Sequence, residues 1–156
     1  MFYFAYGANL NLENMKGRCP NAKKIVKFTL QDYRLVFKGV ADIEYHKGSS
    51  VEGVLWDITN KCEHALDIFE GFPILYRKEY FTIKMTGQLA HDFGKTADVM
   101  FYTMNRSEYG EPMKSYFDCI LQGYIANELD TDYLWDALLH AEDNHSFGSY
   151  ESKSWR

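Results

Sequence analysis

The carboxylate with the most chemical promise is Glu70, in the run Leu66-Asp67-Ile68-Phe69-Glu70-Gly71-Phe72-Pro73. Cys62, Ala65, Leu66 and Phe69 recur at helical spacing, which predicts a short helix with one face in the core. Asn60, followed by Glu63, reads as a capping-box start, and Gly71 and Pro73 read as the stop. Glu70 then falls in the last turn, beside Phe69 and on roughly the side of Leu66. A helix C-terminus carries partial negative charge, which disfavours an anion by roughly 0.3–1 kcal/mol, and burial disfavours the charged form as well. Both effects raise the pKa, as a general base working near neutrality requires. Position alone fits equally well with a surface Glu at a fraying helix end.

A second stretch with chemical content is Tyr6-Gly7-Ala8-Asn9-Leu10. It follows Phe2 to Tyr6, an apolar aromatic run that reads as a strand. Gly7 and Asn9 are residue types that tolerate left-handed backbone conformations. A glycine just past a strand leaves backbone N–H groups facing open space, and concave sets of such groups bind anions or carbonyl oxygens. An ordinary turn is the plainer reading of the same residues taken alone. Elsewhere the inventory is thin. The five histidines, at 46, 64, 91, 140 and 145, lie in unrelated places. Cys62 and His64 have no second pair to complete a zinc site. There is no GxSxG elbow and no P-loop spacing. A Ser or Cys triad assembles only in the fold, and no residue pattern points to one. One carboxylate, a glycine loop and many tyrosines suit a reaction that needs a base and an oriented substrate, with no metal and no cofactor.

The elements that must position these residues are legible in outline. A strand beginning at residue 2 is expected to be central and paired, since a free end would fray. Residues 22–30 and 33–38 read as two strands, with Gln31-Asp32 a bend or bulge between them. Lys47-Gly48-Ser49-Ser50 reads as a turn, and Val51 to Ile58 is the clearest strand. Gly53 within it predicts close approach of another backbone. Tyr76 to Met85 and Ala97 to Met104 read as strands, with Thr86 to Thr96 an exposed hairpin loop. Met113, Tyr116, Phe117, Ile120, Leu121, Tyr124 and Ile125 follow the helical pattern, with Pro112 fitting the first helical position. Leu134, Trp135, Leu138 and Leu139 mark another helix, starting near Asp130 or Thr131. From Asp143 the chain turns polar. The division is a domain over residues 1–142 and a polar tail over 143–156.

Composition bounds the class of protein. With 156 residues a single domain is expected, and a chain of about this size buries roughly 68–70% of its unfolded surface, enough for a core without staples. An aromatic share of 17%, with 12 Tyr and 11 Phe, fits a β-rich core or a pocket walled by Tyr rings. A net charge of −5 and the absence of a basic run argue against a nucleic-acid footprint. No apolar run approaches the length of a membrane span, and the first residues lack a basic segment followed by an apolar one, so neither membrane association nor a signal peptide is expected. Cys19, Cys62 and Cys119 are odd in number and scattered, which fits a reducing, cytoplasmic compartment better than a disulfide framework.

Three stretches together resemble the γ-glutamylcyclotransferase-like family, which includes the AIG2-like proteins. The first is Tyr3-Phe4-Ala5-Tyr6-Gly7-Ala8-Asn9-Leu10, similar to the family's Y-G-S-N-L loop. The second is Gly53-Val54-Leu55-Trp56, followed by Leu66-Asp67, Glu70-Gly71 and Tyr76. The third is Tyr116 with Gly123. They run in the family's order over most of the chain. The resemblance implies an α+β fold, a small mixed β-barrel with flanking helices, and a pocket between the first loop and the acidic helix. It implies Glu70 as the catalytic general acid/base. Tyr3, Phe4, Ala5, Tyr6, Gly7, Ala8 and Asn9 match the substrate-holding loop, Tyr116 matches a substrate-contacting tyrosine, and Tyr76 and Tyr102 fall near pocket-lining positions. The implied partner is a small γ-glutamyl compound, cyclised to 5-oxoproline without a cofactor. One departure stands out: Ala8 replaces the loop's usual Ser and removes a hydroxyl. It motivates an alternative, a non-catalytic small-molecule binder that has kept the pocket. A protein-interaction domain using an aromatic surface is a third option. Oligomeric state and the leaving group are not legible in the chain.

Overall fold

The structure is a computed structural model and describes residues 1–145. Its centre is the strand β1, Phe2–Ala5, in which all four residues are buried. The chain leaves β1 through Tyr6-Gly7 into a 3-10 turn, Ala8–Leu10, and a short helix α1, Leu12–Arg18. A long hairpin follows, β2 (Lys23–Phe37) and β3 (Ala41–Asp57), and then helix α2 (Asn60–Glu70). Strand β4 (Tyr76–Lys84), a short helix α3 (Gly87–Phe93) and strand β5 (Thr96–Met104) come next, and helices α4 (Lys114–Ala126) and α5 (Asp132–Asn144) close the chain.

The sheet has five strands in the order β2-β3-β1-β5-β4. β1 lies antiparallel to β3, with Phe4 opposite Leu55, and parallel to β5, with Tyr3 opposite Met100. The early strand is therefore central, as its position at residue 2 predicts. Both outer pairs are antiparallel. The expected barrel is corrected: the sheet is open, with β2 and β4 as its edges. It curls far enough that Phe28 on β2 and Phe81 on β4 stack with centroids 5.6 Å apart, and Phe4 meets both rings edge-on. An aromatic core fills the gap that strand pairing would close in a barrel.

Several local expectations change for identifiable reasons. The two strands expected over 22–38 are one strand with a bulge, where Asp32 takes φ 63° and the register shifts between Gln31 and Tyr33. The turn expected at Lys47–Ser50 is absent. β3 runs through it, with Gly48 at φ 87° donating its N–H to Asp32 Oδ1 at 2.9 Å, so two left-handed residues facing each other replace the reversal. The loop expected over 86–96 holds the helical turn α3. Helix α4 starts two residues past Pro112, with Met113 as its N-cap. Helix α5 runs to Asn144, so the boundary drawn at 142 falls inside it; the remainder of the expected tail, from residue 146, lies outside the described residues.

Close backbone approach explains two glycines. A Cβ at Gly53 would sit 2.3 Å from the Ala5 carbonyl oxygen, and one at Gly123 would sit 2.6 Å from the Leu10 carbonyl carbon. β3 and α4 can therefore press against β1 and the turn after it. Cys19 and Cys62 are joined by a disulfide that ties the end of α1 to the first turn of α2. This corrects the reading of the cysteines as a set without a bridge, and removes them as support for a reducing compartment. Cys119 remains a half-buried thiol. Among the described residues no helix is long and apolar enough to cross a membrane, and no group of three or more His, Cys, Asp or Glu is placed to hold a metal ion.

Candidate active site

Helix α2 delivers Glu70. Its N-cap is Thr59, one residue earlier than the Asn60 expected, because the Thr59 hydroxyl is what accepts the Cys62 N–H, at 3.1 Å. Cys62 and Leu66 bury one face. The helix ends at Glu70 because Gly71 turns left-handed, φ 64°, and its N–H returns to Asp67 and Ile68. Phe72 N–H adds a bond to the Asp67 carbonyl at 2.9 Å. This capped end does not fray, and it turns Glu70 inward, beside Phe69.

The turn after β1 delivers the opposite wall. Gly7 is not left-handed, and neither is Asn9, against the expectation from their residue types. Gly7 is small because a Cβ would lie 3.1 Å from the Ala41 Cβ, near the Tyr116 hydroxyl. Asn9 is buried and uses its side chain. Its Nδ2 donates to the Tyr3 hydroxyl at 3.0 Å and to Glu70 Oε1 at 3.4 Å, and its Oδ1 accepts from Arg18 Nη1 at 2.9 Å. The 3-10 turn leaves its first amides, around Gly7 and Ala8, without partners inside the turn itself.

Tyrosines make the remaining walls, and each hydroxyl has a fixed task. Tyr76 donates to the Ala41 carbonyl at 2.6 Å, while Tyr116 accepts the Ala41 N–H at 2.9 Å. Two rings from distant elements thus clamp the two peptide groups on either side of Ala41 in β3. Tyr6 donates to the Tyr102 carbonyl at 2.7 Å, and the Tyr102 hydroxyl donates to Asp67 Oδ1 at 2.7 Å. Burial pushes the phenols of Tyr3, Tyr6, Tyr76, Tyr102 and Tyr116 above the usual tyrosine range, so they stay neutral and serve as walls and hydrogen-bonding groups.

Tyr3, Tyr6, Gly7, Ala8, Asn9, Glu70, Tyr76, Tyr102 and Tyr116 all line one pocket, whose empty space, open mouth included, is about 490 Å³. Val40, Ala41, Phe69 and Leu75 complete it. Phe4 and Ala5 do not reach it. Phe4 points into the aromatic core between Phe28 and Phe81, and Ala5 is sealed in the sheet opposite Val54. Glu70 is the one acidic side chain on the lining. Burial lifts its pKa from the ordinary 4.5 to about 8; Arg18 pulls it down, and the Asp42 carboxylate adds to the rise. The arrangement can take a proton from a bound group near neutral pH and hand it on.

Residue types alone missed Arg18, Asp42 and Asp67. Arg18 looks like a surface cation on a short helix, and Asp42 lies in a stretch with no strand signal. Only the i, i+3 spacing of Asp67 and Glu70 hinted that both face the tyrosines. Cys119 is no candidate nucleophile: burial raises its pKa, and its sulfur accepts from Asn14 Nδ2 at 2.9 Å.

Comparison with known proteins gives this geometry a context. Residues 3–118 match the family described as gamma-glutamyl cyclotransferase, AIG2-like. The chain is 29% identical to gamma-glutamylcyclotransferase of Homo sapiens and 30% identical to that of Bos taurus, in each case over 84% of this chain and 73% of the relative. A solved structure described as gamma-glutamyl cyclotransferase superposes with a TM-score of 0.72 at 25% identity, covering 98% of this chain and 92% of its own. A match over this much of the chain, with the same fold beneath it, shows that the protein belongs to the gamma-glutamyl cyclotransferase, AIG2-like, family.

Proposed function

We propose that the protein cyclises a γ-glutamyl amino acid, peptide or amine to 5-oxoproline and releases the attached amine, with Glu70 as general acid/base. The observation that carries this reading is the half-buried Glu70 carboxyl group, its pKa lifted to about 8, lining one tyrosine-walled pocket together with the Gly7-Ala8 turn. In a γ-glutamyl compound the α-amine is tethered to the carbonyl it attacks. As an ammonium it cannot attack. Glu70 takes its proton, the nitrogen adds to the γ-carbonyl carbon, and the five-membered ring closes. The C–N bond to the leaving amine then breaks as Glu70 returns the proton to that nitrogen. The ring nitrogen, acidic once it has added to the carbonyl, gives up its second proton through the freed Glu70 carboxylate to the released amine, which departs as an ammonium. Two protons pass from one nitrogen to the other and one C–N bond replaces another, so the atoms balance without a co-reactant.

The amides of the Gly7-Ala8 turn suit the developing oxyanion or the substrate carboxylate. The walls hold the flexible glutamyl chain folded, a proximity effect that can contribute several kcal/mol. The names of the curated relatives support the same class of reaction. One feature favours a second reading: position 8 lines the pocket and is Ala, so its side chain offers no hydroxyl. A binder that retains the pocket without turnover would tolerate this loss.

The test is 5-oxoproline release over a panel of γ-glutamyl amino acids, peptides and amines, between pH 6 and 9. Release from at least one compound, rising through about pH 8 and lowered by about 10²–10⁴-fold in Glu70→Gln, is the expected result. No release from any compound, with saturable binding by calorimetry, would replace the enzyme by the binder.

A further inference from the structure

Arg18 is the last residue of α1, and its neighbour Cys19 is bonded to Cys62 in the first turn of α2. The residue is thus held where the two helices meet. Its guanidinium carbon lies 3.5 Å above the ring of Phe69, the residue before Glu70. Its Nη1 donates to Asn9 Oδ1 at 2.9 Å. An Asn side chain has two ends of nearly the same shape, one acceptor and one donor, and the partner of one end decides what the other presents. A guanidinium carries donors only. It therefore fits the oxygen end of Asn9 and repels the NH2 end. The NH2 end is left facing Tyr3, at 3.0 Å, and Glu70 Oε1, at 3.4 Å. The flipped amide would set donor against donor at Arg18 and oxygen against oxygen at Glu70. Asn9 is 2% exposed, so water does not relieve either clash.

We propose that Arg18 is a positioning residue: it orients Asn9 so that the amide donor faces Glu70 and holds that carboxylate toward the pocket. The proposal rests on the reading of Glu70 as the proton-transfer group. Arg18 does not line the pocket; it acts from behind Asn9 and Phe69. Its charge works in the same direction as the bond it orients. The charged groups acting on Glu70 are Arg18 from α1 and Asp42 from β3, and the phenols of Tyr3, Tyr6, Tyr76, Tyr102 and Tyr116, from β1, the turn after it, β4, β5 and α4, are near enough to feel its charge and stay neutral. Arg18 is the cation among them and opposes both burial and Asp42.

The experiment uses the ligand-free protein and two variants. Arg18→Met keeps the stem over Phe69 and removes charge and donors; Arg18→Lys keeps charge and one donor site. Two signals are followed by NMR: the carboxyl carbon of Glu70 as pH is raised, identified by its loss in Glu70→Gln, and hydrogen exchange of the Asn9 side-chain amide. In Arg18→Met the Glu70 midpoint is expected to rise by about one pH unit, and Asn9 exchange to quicken by about tenfold. Arg18→Lys is expected to restore most of the midpoint and part of the Asn9 protection, and decides the matter by itself if the Met variant does not fold. A raised midpoint with unchanged Asn9 exchange would mean that Arg18 acts by charge alone, and would overturn the proposal. So would no change in either signal. On an active substrate, Arg18→Met is expected to lower kcat roughly tenfold with KM nearly unchanged. A rise in KM alone would make Arg18 a substrate contact and also overturn it. A wild-type protein inactive on every γ-glutamyl compound would remove the cyclotransferase reading, yet leave both NMR signals to decide the role of Arg18.

Discussion

Asp42 and Glu70 are both carboxylates drawn away from water, Asp42 fully and Glu70 in part, near the same wall, since Asp42 directly follows Ala41, which lines the pocket. Their surroundings differ in the number of donors. Asp42 is fully buried and receives Lys38 Nζ at 2.6 Å, the Thr103 hydroxyl at 2.9 Å and the Met104 N–H at 3.0 Å. Glu70 receives one long bond, from Asn9 at 3.4 Å. Burial pushes both groups up from the ordinary carboxylate range. At Asp42 a paired ammonium and two further donors pull back against it. At Glu70 only Arg18 does, from a distance, and the group reaches about 8. Asp42 is built to stay as it is, joining β3 to β5, whereas Glu70 is left poised to exchange a proton.

The largest effect that could break this contrast is catalytic. Glu70→Gln should lower turnover by about 10²–10⁴-fold, the usual worth of a positioned acid/base group, while ligand binding persists. In the wild type kcat/KM should rise with pH, be half-maximal near pH 8 and level off above it, where the carboxylate form becomes dominant. A flat profile would separate Glu70 from the chemistry.

Stability should show the reverse order. Lys38→Met leaves Asp42 buried and unpaired, and should cost about 3–5 kcal/mol in denaturant unfolding. Removing the disulfide with Cys19→Ser, which frees two positions 43 apart in the sequence, should cost about 2–4 kcal/mol. Glu70→Gln should stabilise the protein at alkaline pH. The folded pKa of Glu70, about 8, lies above its ordinary value of 4.5, so the stability this group contributes is fully present below pH 4.5 and is lost as pH rises through 8. The variant should gain on the wild type steadily across that window and by a constant amount above it. Equal melting temperatures of the two at pH 6 and pH 8.5 would show that Glu70 is not desolvated.

The smallest expected effect tests the alanine in the loop. If backbone amides hold the substrate, Ala8→Ser should change 5-oxoproline release by less than about tenfold, equivalent to about 1.4 kcal/mol. A silent wild type beside an active Ala8→Ser protein would show that the missing hydroxyl had ended turnover.

Much of the site was visible before the fold was known. Glu70 stood out because the Gly71 stop and the apolar spacing before it put a carboxylate at a helix end against the core. Tyr6-Gly7 stood out because a glycine ends an apolar run. Neither Gly7 nor Asn9 takes the left-handed backbone their residue types suggest: Gly7 makes room for Ala41, and Asn9 is a hydrogen-bonding hub. Phe4 sat in the same motif as Tyr3 yet points to the core, because successive residues of a strand face opposite ways.

What the sequence determined by itself is therefore local. Helix ends, strand periodicity and the residue types at the loop and at Glu70 follow from backbone preference and hydrophobic spacing, which act between near neighbours. The tertiary structure decided what those neighbours cannot encode. The sheet stays open because aromatic rings, Phe28 against Phe81, meet where a further strand pairing would have closed it. Cys19 meets Cys62 because α1 docks on α2. Arg18 reaches Asn9, Tyr76 and Tyr116 reach the same residue, Ala41, and Glu70 has a pKa near 8, because desolvation and hydrogen bonding are set by whatever packs nearby, however distant in the chain.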